Sequence, residues 1–280
     1  TTLLTDLRFD IDSVQKGSYS YDMMSNRLNS SLFGANSTYF YSGNQLSSLI
    51  TPSTKFEYSY NANGAITEIK EGWIPKTAES FEYTSYSNML KEFTKHDASY
   101  GFTQGSDPLT QQDSIMQWRY RYGAFGNLEQ KRLYRSDFGD EGNNYHKWEY
   151  NLTGLMGTHA IYNGVQHNNG TDRKVHMFVE KYLVNGGEVT IDKDFNRSIS
   201  ITDNIGNVRL VVRDSANYHI KYEHYDQTPF GDSTLTYSGK GSRFSYGAKE
   251  LNPENGHFKM GARLYDPAIG RFLSRDPLAE

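Results

Sequence analysis

Residues 56–66 read Phe56-Glu57-Tyr58-Ser59-Tyr60-Asn61-Ala62-Asn63-Gly64-Ala65-Ile66. Aromatic and polar residues alternate over Phe56–Tyr60, the period of a strand with one apolar and one wetted face. Asn63-Gly64 then supplies the positive φ that a tight hairpin turn requires, and Ile66 opens a return strand. The stretch predicts a β-hairpin.

The same order recurs on both sides of it. Tyr19 and Tyr21 lead to Asn26 and Leu28; Tyr39 and Tyr41 lead to Gly43-Asn44 and Leu46. Tyr83 and Tyr86 lead, with slipped spacing, to Asn88 and Leu90. Tyr120 and Tyr122 lead to Gly126-Asn127 and Leu128, and Trp148 and Tyr150 to Gly154 and Leu155. A lone hairpin is barely stable in water, so the recurrence predicts hairpins stacked into a continuous sheet. No sustained helical period interrupts it. The expected fold class is all-β, a spiral of stacked hairpins.

Composition agrees. The 280 residues include 22 Tyr and 25 Gly, and 14% are aromatic, yet mean hydropathy is only −0.74. Tyr offers a large apolar ring and a hydroxyl that needs a partner, which suits half-buried sheet faces. The net charge of −4 comes from acids and bases mixed along the chain. With no basic stripe to neutralise phosphates, nucleic acid is not an expected partner. No apolar run is long enough to predict a membrane-spanning helix. The absence of Cys excludes disulfides and thiolate metal sites. The chain opens Thr1-Thr2 without Met, as expected of a piece of a longer protein.

A second region starts near residue 199. Ser200–Arg213 reads as strand, turn at Asp203–Asn207, and a strongly apolar strand; Tyr218–Tyr225 reads as another strand. Then come Pro229-Phe230-Gly231, Gly261, Arg263, Tyr265-Asp266-Pro267, Gly270-Arg271-Phe272 and Asp276-Pro277. In this order, with Asp203, Gly206 and Arg209 before them, they resemble the Rhs repeat-associated core that ends Rhs and YD-repeat proteins. The tyrosine hairpins upstream resemble degenerate YD repeats. The expected domains are therefore repeats over 1–198 and a core region over 199–280. The closing Asp276-Pro277-Leu278-Ala279-Glu280 looks like the variant of Bacteroidota members.

The resemblance implies a β-sheet wound into a hollow shell. In secreted polymorphic toxins and Tc-toxin C subunits such a shell holds a carboxy-terminal toxic segment; in teneurins a similar barrel serves adhesion. Family shells need more repeats than this, so a shell segment of a secreted or cell-surface bacterial protein is expected. The implied partners are a toxin or effector segment of the same protein or secretion-system components, with a glycan or protein ligand under the adhesion reading.

The family core also resembles an aspartic autoprotease that cuts once at a downstream site. Its catalytic aspartate falls on Asp276 and its supporting arginine on Arg263, with Asp266 as the in-motif candidate for a second acid. The chemistry is sound, because a guanidinium can orient a carboxylate for acid–base work, and a second acid can share its proton. Two departures favour turn roles for Asp266 and Asp276. The sequence stops at Glu280 without a scissile bond, and Asp-Pro-Leu-Ala-Glu replaces the cleaving pattern. No enzyme activity is expected of this stretch by itself.

Weaker signals remain. His219, Glu223 and His224 look metal-like, but strand alternation separates the two histidines. Asp137–Asn144 is an acidic, Gly-punctuated loop that reads more simply as solvated than as a Ca²⁺ site. No cofactor or metal is expected, and no nucleophile elbow, P-loop or zincin motif occurs. Asp12-Ser13-Val14, Asp113-Ser114-Ile115 and Asp214-Ser215-Ala216 resemble O-glycosylation triplets of Bacteroidota.

Overall fold

The computed structural model describes residues 6–11, 14–32, 34–85, 89–97, 114–123, 128–136, 146–154, 157–169, 172–184, 189–192, 195–214, 220–231, 233–235, 244–252 and 254–276. The turns expected at Asn88, Gly126-Asn127 and Leu155, together with Tyr86, His219, the acidic loop 137–144 and parts of all three glycosylation triplets, lie outside these residues. The chain divides into two compact units, 1–81 and 82–280.

The first unit is built from β1 (Asp6–Ile11), β2 (Val14–Tyr21), β3 (Arg27–Leu32), β4 (Ala35–Ser42), β5 (Gln45–Ile50), β6 (Lys55–Tyr60), β7 (Ile66–Glu71) and most of β8 (Lys76–Tyr83). Each strand pairs antiparallel with the next. The second unit continues the pattern with β9 (Leu90–Asp97), β10 (Ser114–Tyr122), β11 (Leu128–Ser136), β12 (His146–Gly154), β13 (Gly157–Asn169) and β14 (Asp172–Val184). It goes on through β15 (Val189–Asp192), β16 (Arg197–Thr202), β17 (Val208–Asp214), β18 (Ile220–Gln227) and β19 (Ser233–Leu235). These too pair antiparallel in sequence order. A separate four-stranded sheet closes the sequence: β20 (Glu250–Leu251), β21 (Phe258–Met260), β22 (Arg263–Asp266) and β23 (Arg271–Phe272). Among the described residues there is no α-helix; one 3-10 turn covers Tyr246–Ala248. The all-β hairpin architecture read from the tyrosine pattern is the architecture observed.

The hairpins share two local devices. The first is a five-residue turn led by Asp or Asn. Asp22 Oδ1 accepts the amides of Met24 and Asn26, both at 2.8 Å. Asn61 Oδ1 accepts those of Asn63 and Ala65 at 3.0 Å, and Asp203 Oδ1 those of Ile205 and Asn207 at 3.1 and 2.8 Å. Asp192 captures the Asn196 amide at 2.9 Å. These are Asx turns, in which the side chain replaces a backbone acceptor. The fourth residue takes the left-handed conformation: Ser25, Gly64, Phe195 and Gly206 have φ of 63, 77, 61 and 88°.

The second device is a bulge just before the turn, at a tyrosine in four hairpins and at Thr202 in a fifth. Register shifts fall at Ser20/Tyr21, Phe40/Tyr41, Ser59/Tyr60, Arg121/Tyr122 and Ile201/Thr202. The unopposed residue lies on the return strand, so the buried face steps by three instead of two. Leu46 and Leu49, Ile66 and Ile69, Leu90 and Phe93, and Val208 and Val211 are all buried. In the first hairpin the buried position is therefore Arg27, while Leu28 is the bulged, exposed residue. The aromatic two places before the bulge is buried as well, in Tyr19, Tyr39, Phe81 and Tyr120. Each of these bulges raises the right-handed twist locally.

Candidate functional site

The quoted motifs of the second region converge on one knot of contacts in the second unit. The Asp203 turn comes first. Besides its two amides, Asp203 accepts from Arg209 Nε at 3.0 Å and Asn207 Nδ2 at 3.1 Å. Burial pushes the Asp203 carboxyl up, but the Asn207 and Ile205 amides and the Arg209 guanidinium outweigh it and hold it below its ordinary value. Asn207 Oδ1 then accepts the Gly247 amide at 2.8 Å, and the Val208 amide bonds to Ser245 O at 2.9 Å. The turn is thus tied to the segment that leads into the last sheet.

Pro229-Phe230-Gly231 is the next element. Gly231 has φ +91°, and a Cβ there would stand 2.7 Å from Tyr246 Cγ, so glycine is required twice over. Tyr246 donates its hydroxyl to Pro229 O at 3.0 Å, and Tyr265 donates to Phe230 O at 3.1 Å. The two rings stack with centroids 5.9 Å apart, Phe258 leans on Tyr246 at 5.8 Å, and Phe272 meets Tyr265 edge-on at 5.6 Å.

Arg263 opens β22 on the same face as Tyr265. Its guanidinium lies 3.7 Å from the Phe272 ring centroid and its Nη2 is 3.1 Å from Asp276 Oδ2. The structure brings this expected pair together, with Asp276 partly open to solvent. Asp266, three residues further, faces the other side of the strand and is buried. Its Oδ1 accepts the Ala268 amide at 2.8 Å, its carbonyl accepts the Gly270 amide at 2.8 Å, and its Oδ2 is 3.7 Å from His257 Nε2. Among the described contacts, none joins the two aspartates. Chemically the arrangement is one arginine-oriented carboxylate beside an aromatic platform, with a second carboxylate occupied in a turn.

Glu223 accepts from Arg213 Nη2 at 3.3 Å and from Tyr225 at 2.8 Å, within an ion pair that brings Arg213 Nε to 3.0 Å, whereas its neighbour His224 points to the exposed face. One feature has no local signal in the sequence. Lys131 occupies the buried repeat position three residues after Leu128, where Leu49, Ile69, Phe93 and Val211 stand in other hairpins and Ser30 in the first. Its Nζ lies 2.9 Å from Glu254 Oε2 and 3.4 Å from Glu149 Oε2, over the Trp118 ring at 5.7 Å. Tyr120 donates to Glu254 at 3.0 Å. Burial and then the Glu254 charge push the Tyr120 hydroxyl well above its ordinary pKa. Glu254 sits in the turn between β20 and β21, so this ion cluster pins the closing sheet onto β10–β12.

No family model matches the chain. Among curated proteins it is 25% identical over 237 residues to salivary gland surface protein 1 of Aedes aegypti, an alignment covering 81% of this chain and 7% of that protein. The chain thus spans a small fraction of the length of the curated relative it matches. Among solved structures it is similar to the crystal structure of TcdB2-TccC3-Cdc42, with a TM-score of 0.33, 14% identity, and 97% of this chain against 19% of that one. For TcdB2-TccC3-TEV the TM-score is 0.30 and the identity 15%, with coverage of 97% and 19%.

Proposed function

We propose that this chain is a structural segment of a shell of the Rhs/YD-repeat kind. Residues 1–198 are repeat hairpins that build its wall, and 199–280 a closing region beside a carboxy-terminal toxin or effector segment. The observation that carries the reading is the repeated unit itself. Asx turn, bulge and three-step return strand recur at Asp22, Asn61 and Asp203, the first two behind a tyrosine, in a meander of paired neighbours. A meander of paired neighbours grows by adding hairpins, which suits the building of a wall. The Lys131–Glu254 cluster supports the closing role, because it fastens the last sheet to the repeats. The protein is secreted or displayed on a bacterial surface; the "surface" in the mosquito relative's name is in keeping with that. The test is an image of the full-length gene product by electron microscopy. A hollow body with weak internal density is expected, and a solid body overturns the reading.

A second reading is favoured by one observation, the 3.1 Å contact of Arg263 with Asp276. In it the core region cuts the longer chain once, with Asp276 as the acid–base group and Arg263 orienting it. Asp266, bound into its turn, is the weakest member of the expected set. Asp276→Asn in the full-length protein should abolish any native chain break; an unchanged fragment pattern removes this reading.

A further inference from the structure

Two strands of the β14–β18 sheet, β16 and β18, are built inside out, although Leu183 of β14 and Val211 of β17 are buried in the ordinary way. In β16, Arg197-Ser198-Ile199-Ser200-Ile201-Thr202, it is Ser200 that is buried while Ile199 and Ile201 are exposed. In β18, Glu223 and Tyr225 are buried while Ile220 and Tyr222 are exposed. Antiparallel sheets ordinarily do the reverse, wetting the polar face and covering the apolar one.

Cross-strand register shows that these outward residues form one continuous face. Val189 is opposite Ile199, Ile199 opposite Val212, and Val212 opposite Tyr222. A second row runs from Tyr182 through Ile191 to Arg197, Asp214 and Ile220. Tyr222, Ile220, Ile201, Ile199 and Tyr182 remain 60, 58, 50, 48 and 45% exposed. These five side chains alone present on the order of 500 Å² of surface, the upper end of what a lone soluble domain carries. Two such faces with their half-buried neighbours approach the ~1,200 Å² at which specific interfaces begin.

We infer that this face is a self-association surface, and that its occupant is the same face of a second copy of this chain. Charge supports a second copy over any other apolar partner. Among the described residues of this face, Arg197 and Asp214 are directly opposed across β16 and β17, with His224 opposite Leu210 one row on. A two-fold axis along the strands, between β16 and β17, lays each Arg197 over the other copy's Asp214. The same axis sets Ile199 over Val212, Ile201 over Leu210 and Tyr222 over Val189. The contact is isologous and closes as a dimer, an aligned sandwich of two sheets about 10 Å apart. The inference stands on this face alone and does not depend on the shell reading.

Sedimentation velocity on the full chain, run as a concentration series, tests it. A reversible dimer with micromolar or tighter affinity is expected. Tyr222→Glu should weaken it at least about tenfold, which is 1.4 kcal/mol, with an unchanged circular dichroism spectrum. Arg197→Asp should weaken it, and the exchanged pair Arg197→Asp with Asp214→Arg should restore it, which a nonspecific apolar contact would not do. Because the chain has no Cys, Ile199→Cys with a bis-maleimide of about 10 Å reach should give a cross-linked dimer and nothing larger. A chain that stays monomeric, a dimer indifferent to Tyr222→Glu, open-ended oligomers, or a monomer that instead captures unfolded polypeptide on this face each overturns the inference.

Discussion

At Asp203 a single carboxylate accepts two backbone amides, an asparagine amide and a guanidinium. Asp203→Ala should lower stability by about 2 kcal/mol, measured by urea denaturation at neutral pH. The pH dependence has a definite sign. The folded-state pKa is depressed, so the unfolded chain binds the proton first. The contribution of Asp203 is complete above the ordinary carboxylate range and is lost as pH falls through that range towards the folded value. The difference between wild type and Asp203→Ala should therefore shrink on acidification; a difference that grows contradicts the assignment. Gly231 makes a second prediction at this scale. Its φ is +91°, and an added methyl would meet the Tyr246 ring at 2.7 Å, so Gly231→Ala should cost about 2–4 kcal/mol. Gly43→Ala, at φ +60° with open space around it, should cost about 1 kcal/mol.

The hairpin is the scale at which the sequence is most legible. Alternating aromatics and Asn-Gly turns announce strands and their ends, because period and turn chemistry are local properties. The bulge at the tyrosine is not announced, since it depends on pairing with the strand beyond the turn. That is why the pattern alone points to Leu28 for the buried position that Arg27 holds. Arg27 is enclosed there by aromatic rings, 4.6 Å from the Tyr19 centroid and 5.4 Å from that of Tyr39, with Nη1 3.3 Å from the Tyr39 hydroxyl. Equivalent positions hold Leu46 and Ile66. Arg27→Leu should therefore be neutral or stabilising by roughly 1–3 kcal/mol, because an apolar isostere avoids the desolvation of a buried cation. Arg27→Ala should destabilise by about 3 kcal/mol through the void it leaves. Thermal midpoints of the two variants check both signs. The candidate pair comes from a resemblance and not from local pattern, and Arg263 Nη2 and Asp276 Oδ2 lie 3.1 Å apart. The roles of Asp266, His257 and Phe272 are not legible in the sequence, because β22 alternation and the packing of Phe272 on Arg263 are set by the folded sheet.

In the molecule as a whole, hairpins that are weak alone become strong in company. The closing sheet obeys the same rule through its buried cluster. Glu254→Gln leaves Lys131 paired with Glu149, and should cost less than the ~3–5 kcal/mol of an uncompensated buried charge while freeing β20–β23 to exchange amide hydrogens faster than β10–β12. The shell reading needs the wall to be a quasi-one-dimensional stack, in which each hairpin owes its stability to adjacent ones. Site-resolved hydrogen exchange on the Leu46→Ala variant tests that most directly, since Leu46 is fully buried at the start of β5. The stack predicts a graded loss of protection, largest in β4–β6, smaller in β3 and β7, and least in β2. A uniform loss across every strand of the first unit, or a loss confined to β5 itself, would contradict it.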